Sequence, residues 1–184
     1  PLWNFVAALL AGFILIFVVV TYVKSLSIEE ISRVIPLWNL APLFTLILAV
    51  IFLDEILTLI KYIAFAFILS GGVLISTRKI GSAFHISPAV GFMLFSSFMA
   101  AIEEVLLKFA YSANQFWETF LVFYFGVGIG LISLFLFKNV RKNFSIAYLR
   151  HRHILLIILF INGLMGFVGQ LFYNGAILLG PVTL

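Results

Sequence analysis

The sequence has no cysteine and few charged residues. The missing cysteine excludes disulfides, thiol catalysis, Cys-ligated zinc and iron–sulfur clusters. Lys, Arg, Asp and Glu make up 10% of the 184 residues, whereas soluble domains carry about 25%. This number of charges is too small to cover a surface that faces water. Lipid must therefore be the solvent for much of the chain.

Apolar residues make up 64% of the sequence, and phenylalanine alone accounts for 22 of them. They form six runs, each close to the roughly 20 residues that a spanning helix requires. The runs are continuous and do not alternate, which favours helices over barrel strands. We therefore predict an all-α, polytopic transmembrane helix bundle with about six spans. The six runs cover residues 2–23, 34–53, 56–77, 88–110, 116–137 and 154–178.

The polar segments between these runs are short, and we predict loops at residues 78–87 and 138–153. The uncharged sequence continues beyond the sixth run to Leu184, and the whole stretch from Ile154 is too long for one span. Gly180-Pro181 marks a break before a seventh helix. The sequence starts at Pro1 without a basic leader and stops inside apolar sequence. We therefore expect it to be the central fragment of a longer protein.

Three motifs follow one another in the first half. Residues 35–45 read Ile-Pro-Leu-Trp-Asn-Leu-Ala-Pro-Leu-Phe-Thr, residues 53–55 read Leu-Asp-Glu, and residues 70–74 read Ser-Gly-Gly-Val-Leu. This order resembles the end of an EamA-type repeat of the drug/metabolite transporter superfamily, in which a helix with a mid-membrane proline ends in a Leu-Gly-Glu-like motif. Asp54 stands where the family has glycine. Residues 91–111 resemble the first helix of a second repeat, and residues 176–182 resemble the end of its third helix.

The resemblance implies a ten-helix transporter built from two inverted five-helix repeats around a central cavity. Residues 1–80 would be the last three helices of the first repeat, and residues 81–184 the first three helices of the second, truncated. The implied function is secondary transport of a small organic solute, such as a metabolite, an amino acid or a drug-like molecule, by alternating access. The implied location is the cytoplasmic (plasma) membrane, and no cofactor is expected.

Two other classes of function stay open. A membrane scaffold or partner subunit without its own ligand would keep its polar residues dry and fully paired. A membrane-embedded enzyme acting on lipid-linked substrates would need a cluster of acids or histidines, and no HExxH-type motif is present. The sequence has no nucleotide-binding loop, and we expect no binding of nucleic acid or metal.

Nine of the eleven basic residues fall in alternate connections, and hence at one face of the membrane. The positive-inside rule makes that face cytoplasmic. This orientation is opposite to the one that the family layout implies for a parent with cytoplasmic termini. The nine residues are Lys24, Arg33, Arg78, Lys79, Lys138, Arg141, Lys142, Arg150 and Arg152.

The last predicted helix carries a polar stripe. Asn162, Gly166, Gln170 and the pair Tyr173 and Asn174 recur every three or four residues, which places them on one helix face. Amides that face hydrocarbon without a partner are unfavourable, so this face is predicted to turn toward other helices or a wet cavity. It either forms interhelical hydrogen bonds or lines the solute site.

Two further sets complete the predicted binding site. A second, shorter polar face is formed by Trp38, Asn39, Pro42 and Thr45, of which Asn39 and Pro42 are assigned to the site, and Pro42 removes one backbone hydrogen bond. Glu103 and Glu104 are acids inside an apolar run, and intramembrane carboxylates are candidates for proton coupling or cation binding. The alternative for Glu104 is a local ion pair with Lys108, four residues later.

Overall fold

A computed structural model describes residues 2–53, 59–76, 78–80, 83–85 and 87–179 of the chain. These residues form helices and one short antiparallel hairpin. The elements are α1 (Leu2–Leu26), α2 (Ile31–Trp38), α3 (Ala41–Leu53), α4 (Leu59–Ser76), β1 (Arg78–Ile80), β2 (Ala83–His85), α5 (Pro88–Tyr111), α6 (Phe116–Leu134) and α7 (Lys138–Leu179).

Five helical stretches of the described residues are long and apolar enough to cross a membrane. The predicted all-α, polytopic membrane bundle is therefore confirmed. The helix predicted at residues 56–77 is present as α4 (Leu59–Ser76), but these 18 residues are not among the five spans. The five are Leu2–Leu26, Ile31–Phe52, Pro88–Tyr111, Phe116–Leu134 and Arg152–Leu179.

The loop predicted at residues 138–153 is wrong, because this polar segment is the first part of α7. The helix runs for 42 residues from Lys138. The segment contains two Lys and three Arg, which are good helix formers. It also contains neither glycine nor proline, so nothing ends the helix before the apolar run begins. The proposed break at Gly180-Pro181 and the motif pair Asp54-Glu55 lie outside the described residues.

The predicted loop at 78–87 contains the hairpin, in which Arg78 pairs with His85 and Ile80 with Ala83. The start of α5 follows it as Pro88 predicts. The Ser87 hydroxyl accepts the Ala89 N–H as an N-cap, and Pro88 occupies the first turn, where a missing N–H leaves no bond unmade.

Helix α1 packs on both α5 and α6 and runs antiparallel to α5. Three side chains donate to main-chain carbonyls across this seam. They are Asn4 Nδ2 to Phe109 at 2.7 Å, Ser96 Oγ to Val18 at 2.8 Å and Ser25 Oγ to Ala89 at 2.7 Å. The residue numbers rise on α1 as they fall on α5, which fixes the antiparallel direction.

The contact between α1 and α6 is made by glycines. A Cβ placed at Gly126 would lie 2.1 Å from the Leu9 carbonyl oxygen, and one at Gly130 would lie 2.7 Å from the Ile16 side chain. Small residues allow two membrane helices to approach at backbone distance. Since these contacts advance along both helices in the same sense, α6 runs parallel to α1.

These directions place the end of α1, the start of α5 and the end of α6 at one end of the bundle. Lys24, Arg33 and Lys138 therefore lie near that end, whereas Asn4 and Phe109 mark the opposite end. The basic residues of alternate connections are thus grouped as the charge count expects. The side of the membrane that this basic end faces stays a prediction.

The second span is interrupted between α2 and α3. Asn39 caps the end of α2, and its N–H points back to the carbonyls of Pro36 and Leu37. Pro42 in the first turn of α3 has no N–H to offer the preceding turn, so the regular ladder cannot pass through this point. Thr45, in the second turn of α3, lies against α5.

Candidate functional site

Glu104 on α5 joins three helices. Thr45 Oγ1 on α3 donates to Glu104 Oε2 at 2.5 Å, and Tyr173 Oη on α7 donates to Glu104 Oε1 at 2.6 Å. Both carboxyl oxygens therefore act as acceptors, at the short distances typical of hydroxyls bonded to a carboxylate. Thr45 is fully buried, while Glu104 and Tyr173 are partly buried. The carboxyl group is thus a polar junction inside the apolar bundle.

A second chain of hydrogen bonds lies about two turns further along α5. Tyr111 Oη on α5 donates to Asn174 Oδ1 on α7 at 2.8 Å. Asn174 Nδ2 donates in turn to the main-chain oxygen of Gln170 at 2.8 Å and to its Oε1 at 3.0 Å. Asn174 is completely buried and Gln170 is partly exposed. The chain therefore leads from the interior toward a more open position on α7.

Lys108 fixes the alignment of α5 with α7. Its Nζ donates to the Ile177 carbonyl oxygen at 2.8 Å. The pairs Glu104–Tyr173 and Lys108–Ile177 are both separated by 69 residues, so the two helices run parallel and in step over this turn. Such a pairing is possible because four residues bring a helix back to the same face. Lys108 and Glu104 thus both bind α7.

Glu103 points to a different seam from its neighbour. It is 3% exposed, and its Oε1 has no hydrogen-bond partner among the described residues. Helical spacing places it on the face of Ala100 and Leu107, and Leu107 packs with Ala11 of α1 and Phe123 of α6. A buried carboxyl oxygen without a partner costs about 1–3 kcal/mol. Glu103 therefore stands apart from the hydroxyl network of Glu104.

The structure brings together three of the predicted site residues and separates the others. Gln170, Tyr173 and Asn174 belong to the two hydrogen-bonded chains on α5 and α7. Asn162 is exposed, and its Nδ2 donates to Ile158 of its own helix at 2.9 Å. Asn39 and Pro42 are exposed at the break between α2 and α3, away from these chains. Glu103 is buried on a different face of α5 from Glu104.

Sequence reasoning missed the partners of these residues. Glu104 was considered mainly for an ion pair with Lys108, but its carboxyl oxygens accept hydroxyls from two other helices. Tyr111 was not singled out, although it follows Glu104 by seven residues, which returns to nearly the same helix face. That spacing is a signal that the sequence does carry. The choice of Thr45 as the third partner requires the packing of α3 on α5.

An apolar groove of about 490 Å³ lies between α3 and α5. Among the described residues, its lining contains no polar side chain and none of the predicted site residues. Within the described residues, no group of three or more His, Asp or Glu side chains is arranged to hold a metal ion. The lining residues are Leu48, Phe52, Phe98, Ile102, Val105, Leu106 and Phe109.

Comparison with known proteins bears on the first half of the chain. Residues 1–77 match the model of the EamA-like transporter family. The matched region is similar to that family and covers less than half of the 184 residues. No significant match was found among curated proteins or among solved structures. The resemblance drawn from residues 35–74 is thereby confirmed, and with it a transporter-like role and an integral membrane location.

The EamA-like region contains α1 to α4, and hence Thr45, Asn39 and Pro42. Glu103, Glu104 and Tyr173 lie beyond it. The division of the chain near residue 80 into two repeats therefore stays a prediction. The hydrogen bond between Thr45 and Glu104 connects the EamA-like region to the second half of the chain.

Proposed function

We propose that this protein is a secondary transporter that moves a small organic solute across a membrane by alternating access. The solute site would include Gln170, Tyr173 and Asn174, next to Glu104. In the complete protein, Asn162, Asn39, Pro42 and Glu103 would complete the walls of the cavity. The expected location is the cytoplasmic membrane, and Glu103 would couple transport to a proton or another cation.

The observation that carries this proposal is the hydrogen-bonded network inside the spanning helices. Thr45, Glu104 and Tyr173 form one part of it, and Tyr111 and Asn174 form another. Polar groups within the bilayer are unfavourable unless they are paired, and they are commonly found on solute and ion pathways. A solute with polar groups could exchange hydrogen bonds with these side chains, whereas it could not do so in the apolar groove.

A second candidate function is that of a membrane scaffold or partner subunit without its own ligand. It is favoured by Asn174, whose amide oxygen and nitrogen are both used by Tyr111 and Gln170. A network that is already satisfied can exist for helix packing alone. A membrane-embedded enzyme is a third and weaker candidate, since the matched family is named for transport.

The absence of cysteine allows a direct test of the transporter against the scaffold. A single cysteine replaces Gln170 in the full-length protein, and its labelling by a membrane-impermeant thiol reagent is measured from each side. Asn174 also bonds the main-chain oxygen of residue 170, so the substitution keeps one of its hydrogen bonds. The matched control is Phe172→Cys, because this side chain on the same helix is 71% exposed and apolar.

A water-filled solute site predicts labelling at position 170 but not at position 172. It also predicts that the labelling depends on the side of addition and is slowed by candidate solutes. Folded protein that is not labelled at position 170 from either side would contradict the transporter and support the scaffold. Labelling of equal rate at both positions would show that the reagent reports general exposure of α7 and not a cavity.

A further inference from the structure

We propose that Glu104 is a latch that closes the candidate site by holding α3 and α7 together on α5. This inference rests on the proposed function, since it assigns the latch to the transport cycle. Its two carboxyl oxygens each accept one hydroxyl, from Thr45 on α3 and from Tyr173 on α7. When either bond is lost, the helix that supplied the hydroxyl loses one of the contacts that hold it on α5.

The position of these bonds relative to the predicted repeats supports the assignment. Thr45 belongs to residues 1–80, and Glu104 and Tyr173 belong to residues 81–184. In transporters built from inverted repeats, access alternates when one repeat moves against the other around a central site. The bond between Thr45 and Glu104 crosses that boundary, so it has to break when the two parts separate.

The attachment of α7 makes it suited to such movement. Its hydrogen bonds to α5 come from Tyr173, Asn174 and Ile177, near its C-terminal end. Residues 156–169 of the same helix are exposed in the described structure. Among the described residues, the loss of one of these bonds therefore removes a large share of the hydrogen bonding between α7 and α5.

The start of α3 is similarly suited to movement. The regular helix is interrupted at Asn39 and Leu40 just before it, and Pro42 follows. Proline breaks are places where a helix bends. Beyond this break α3 is fixed to α5 by an edge-on contact between Phe44 and Phe98, with ring centres 5.6 Å apart, and by Thr45.

The latch also lies at a defined depth. Glu104 is seven residues before the end of α5 at Tyr111, which is about 10 Å along a helix. It is therefore in the half of the bundle opposite the basic end that contains Lys24 and Arg33. Opening of the latch would admit water and solute from that opposite end.

The test measures how fast the cysteine at position 170 reacts with the impermeant reagent in the full-length protein. Three substitutions break the latch and keep the shape of the side chain: Thr45→Val, Glu104→Gln and Tyr173→Phe. Each has a matched control of the same chemistry outside the latch. These are Thr21→Val, whose hydroxyl bonds its own helix, Glu118→Gln at the exposed start of α6, and Tyr124→Phe.

We expect each latch substitution to raise the labelling rate about threefold or more from the end opposite the basic residues, since one interhelical bond in a membrane contributes about 0.6 kcal/mol. The controls should leave the rate unchanged. A cysteine at Ser96, buried in the seam of α1 and α5, should stay unlabelled in all variants. Labelling at position 96 as well would show general loosening and overturn the latch.

Unchanged labelling in all three variants would also overturn the latch. That result would not contradict the proposed function, which is tested by a different measurement. Transport is judged by whether solutes protect the cysteine at position 170 in the otherwise unaltered protein. Conversely, a rise in labelling without any solute protection would support the movement and count against solute transport.

Discussion

Gly12 on α1 lies directly against the main-chain carbonyl of Phe123 on α6. A Cβ atom at Gly12 would be 1.9 Å from that oxygen and 2.8 Å from the Val127 nitrogen. Gly126 on α6 makes the reciprocal contact with the Leu9 carbonyl. These main-chain atoms cannot rotate away as a side chain can, so the two helices meet at a distance that glycine alone permits.

Alanine at Gly12 or Gly126 is therefore expected to lower the free energy of unfolding. Overpacking of a well-packed interior costs about 1–3 kcal/mol, and these sites should lie in the upper part of that range because backbone has to shift. The measurement is the unfolding midpoint of the full-length protein in detergent. Gly128→Ala on the same helix is the control, since nothing lies within 4 Å of its Cβ position. An equal loss at Gly128 would contradict the close contact.

The serine bonds between α1 and α5 are expected to contribute less. Ser96→Ala and Ser25→Ala should each lower the free energy of unfolding by about 0.6 kcal/mol, the average for an interhelical hydrogen bond in a membrane. Their acceptors are main-chain carbonyls within helices, which keep their own partners. The two effects should add, since the sites are well separated. Ser133→Ala is the control, because that hydroxyl bonds Gly130 of its own helix.

Much of this fold follows from the sequence because the membrane restricts it. Apolar runs of about 20 residues become helices, as no other element in them satisfies its backbone in lipid. The start of α5 at Ser87 and Pro88 is equally local. The continuation of α7 back to Lys138 was missed because polarity was taken as the sign of a loop. Polarity reports contact with water, and a helix can extend into water.

The candidate site was predictable along one helix and not between helices. The spacing of Gln170, Tyr173 and Asn174 identifies a polar face, but their partners on α5 are chosen by the register of two distant helices. A shift of one residue would present different side chains to Glu104. The same spacing also included Asn162, which lies too far along α7 to reach the bundle that the described residues form.

Asn174 and Tyr111 should be energetically coupled. Asn174→Leu would leave the buried Tyr111 hydroxyl without its acceptor, at a cost of about 1–3 kcal/mol. Tyr111→Phe alone should cost less than this, and the double variant should be less destabilised than the sum of the two. A double-mutant cycle on the free energy of unfolding measures the difference. Additive effects would contradict the direct bond. Asn162→Ala is the control, and it should change the free energy of unfolding by no more than about 0.5 kcal/mol.

The orientation of the bundle is open to a separate test. The basic residues near Lys138, Arg141 and Lys142 predict that the start of α7 is cytoplasmic. A reporter inserted after Lys142 in the full-length protein should therefore be active on the cytoplasmic side. A reporter in the turn at residues 112–115, at the other end of the bundle, should be active on the opposite side. The reverse pattern would show that the layout implied by the family outweighs the charges.

Glu103 is expected to lower the free energy of unfolding while being required for transport. Its Oε1 is buried without a partner among the described residues, so Glu103→Leu removes an unpaired polar atom from an apolar seam. Replacement of such a group by an apolar side chain of similar size is often neutral or stabilising. We expect the free energy of unfolding to rise by about 1 kcal/mol, and transport to be lost if Glu103 carries the coupling cation.

Glu103→Gln separates the two effects, because it keeps the shape and polarity of the side chain but cannot carry a proton or a full charge. A coupling role predicts loss of transport in this variant with little change in unfolding. Glu118→Leu is the control for stability, since Glu118 is exposed at the start of α6. Lower stability in Glu103→Leu would mean that the carboxyl group has a partner that stabilises the fold. A role in packing would then account for the carboxyl group of Glu103 without a role in transport.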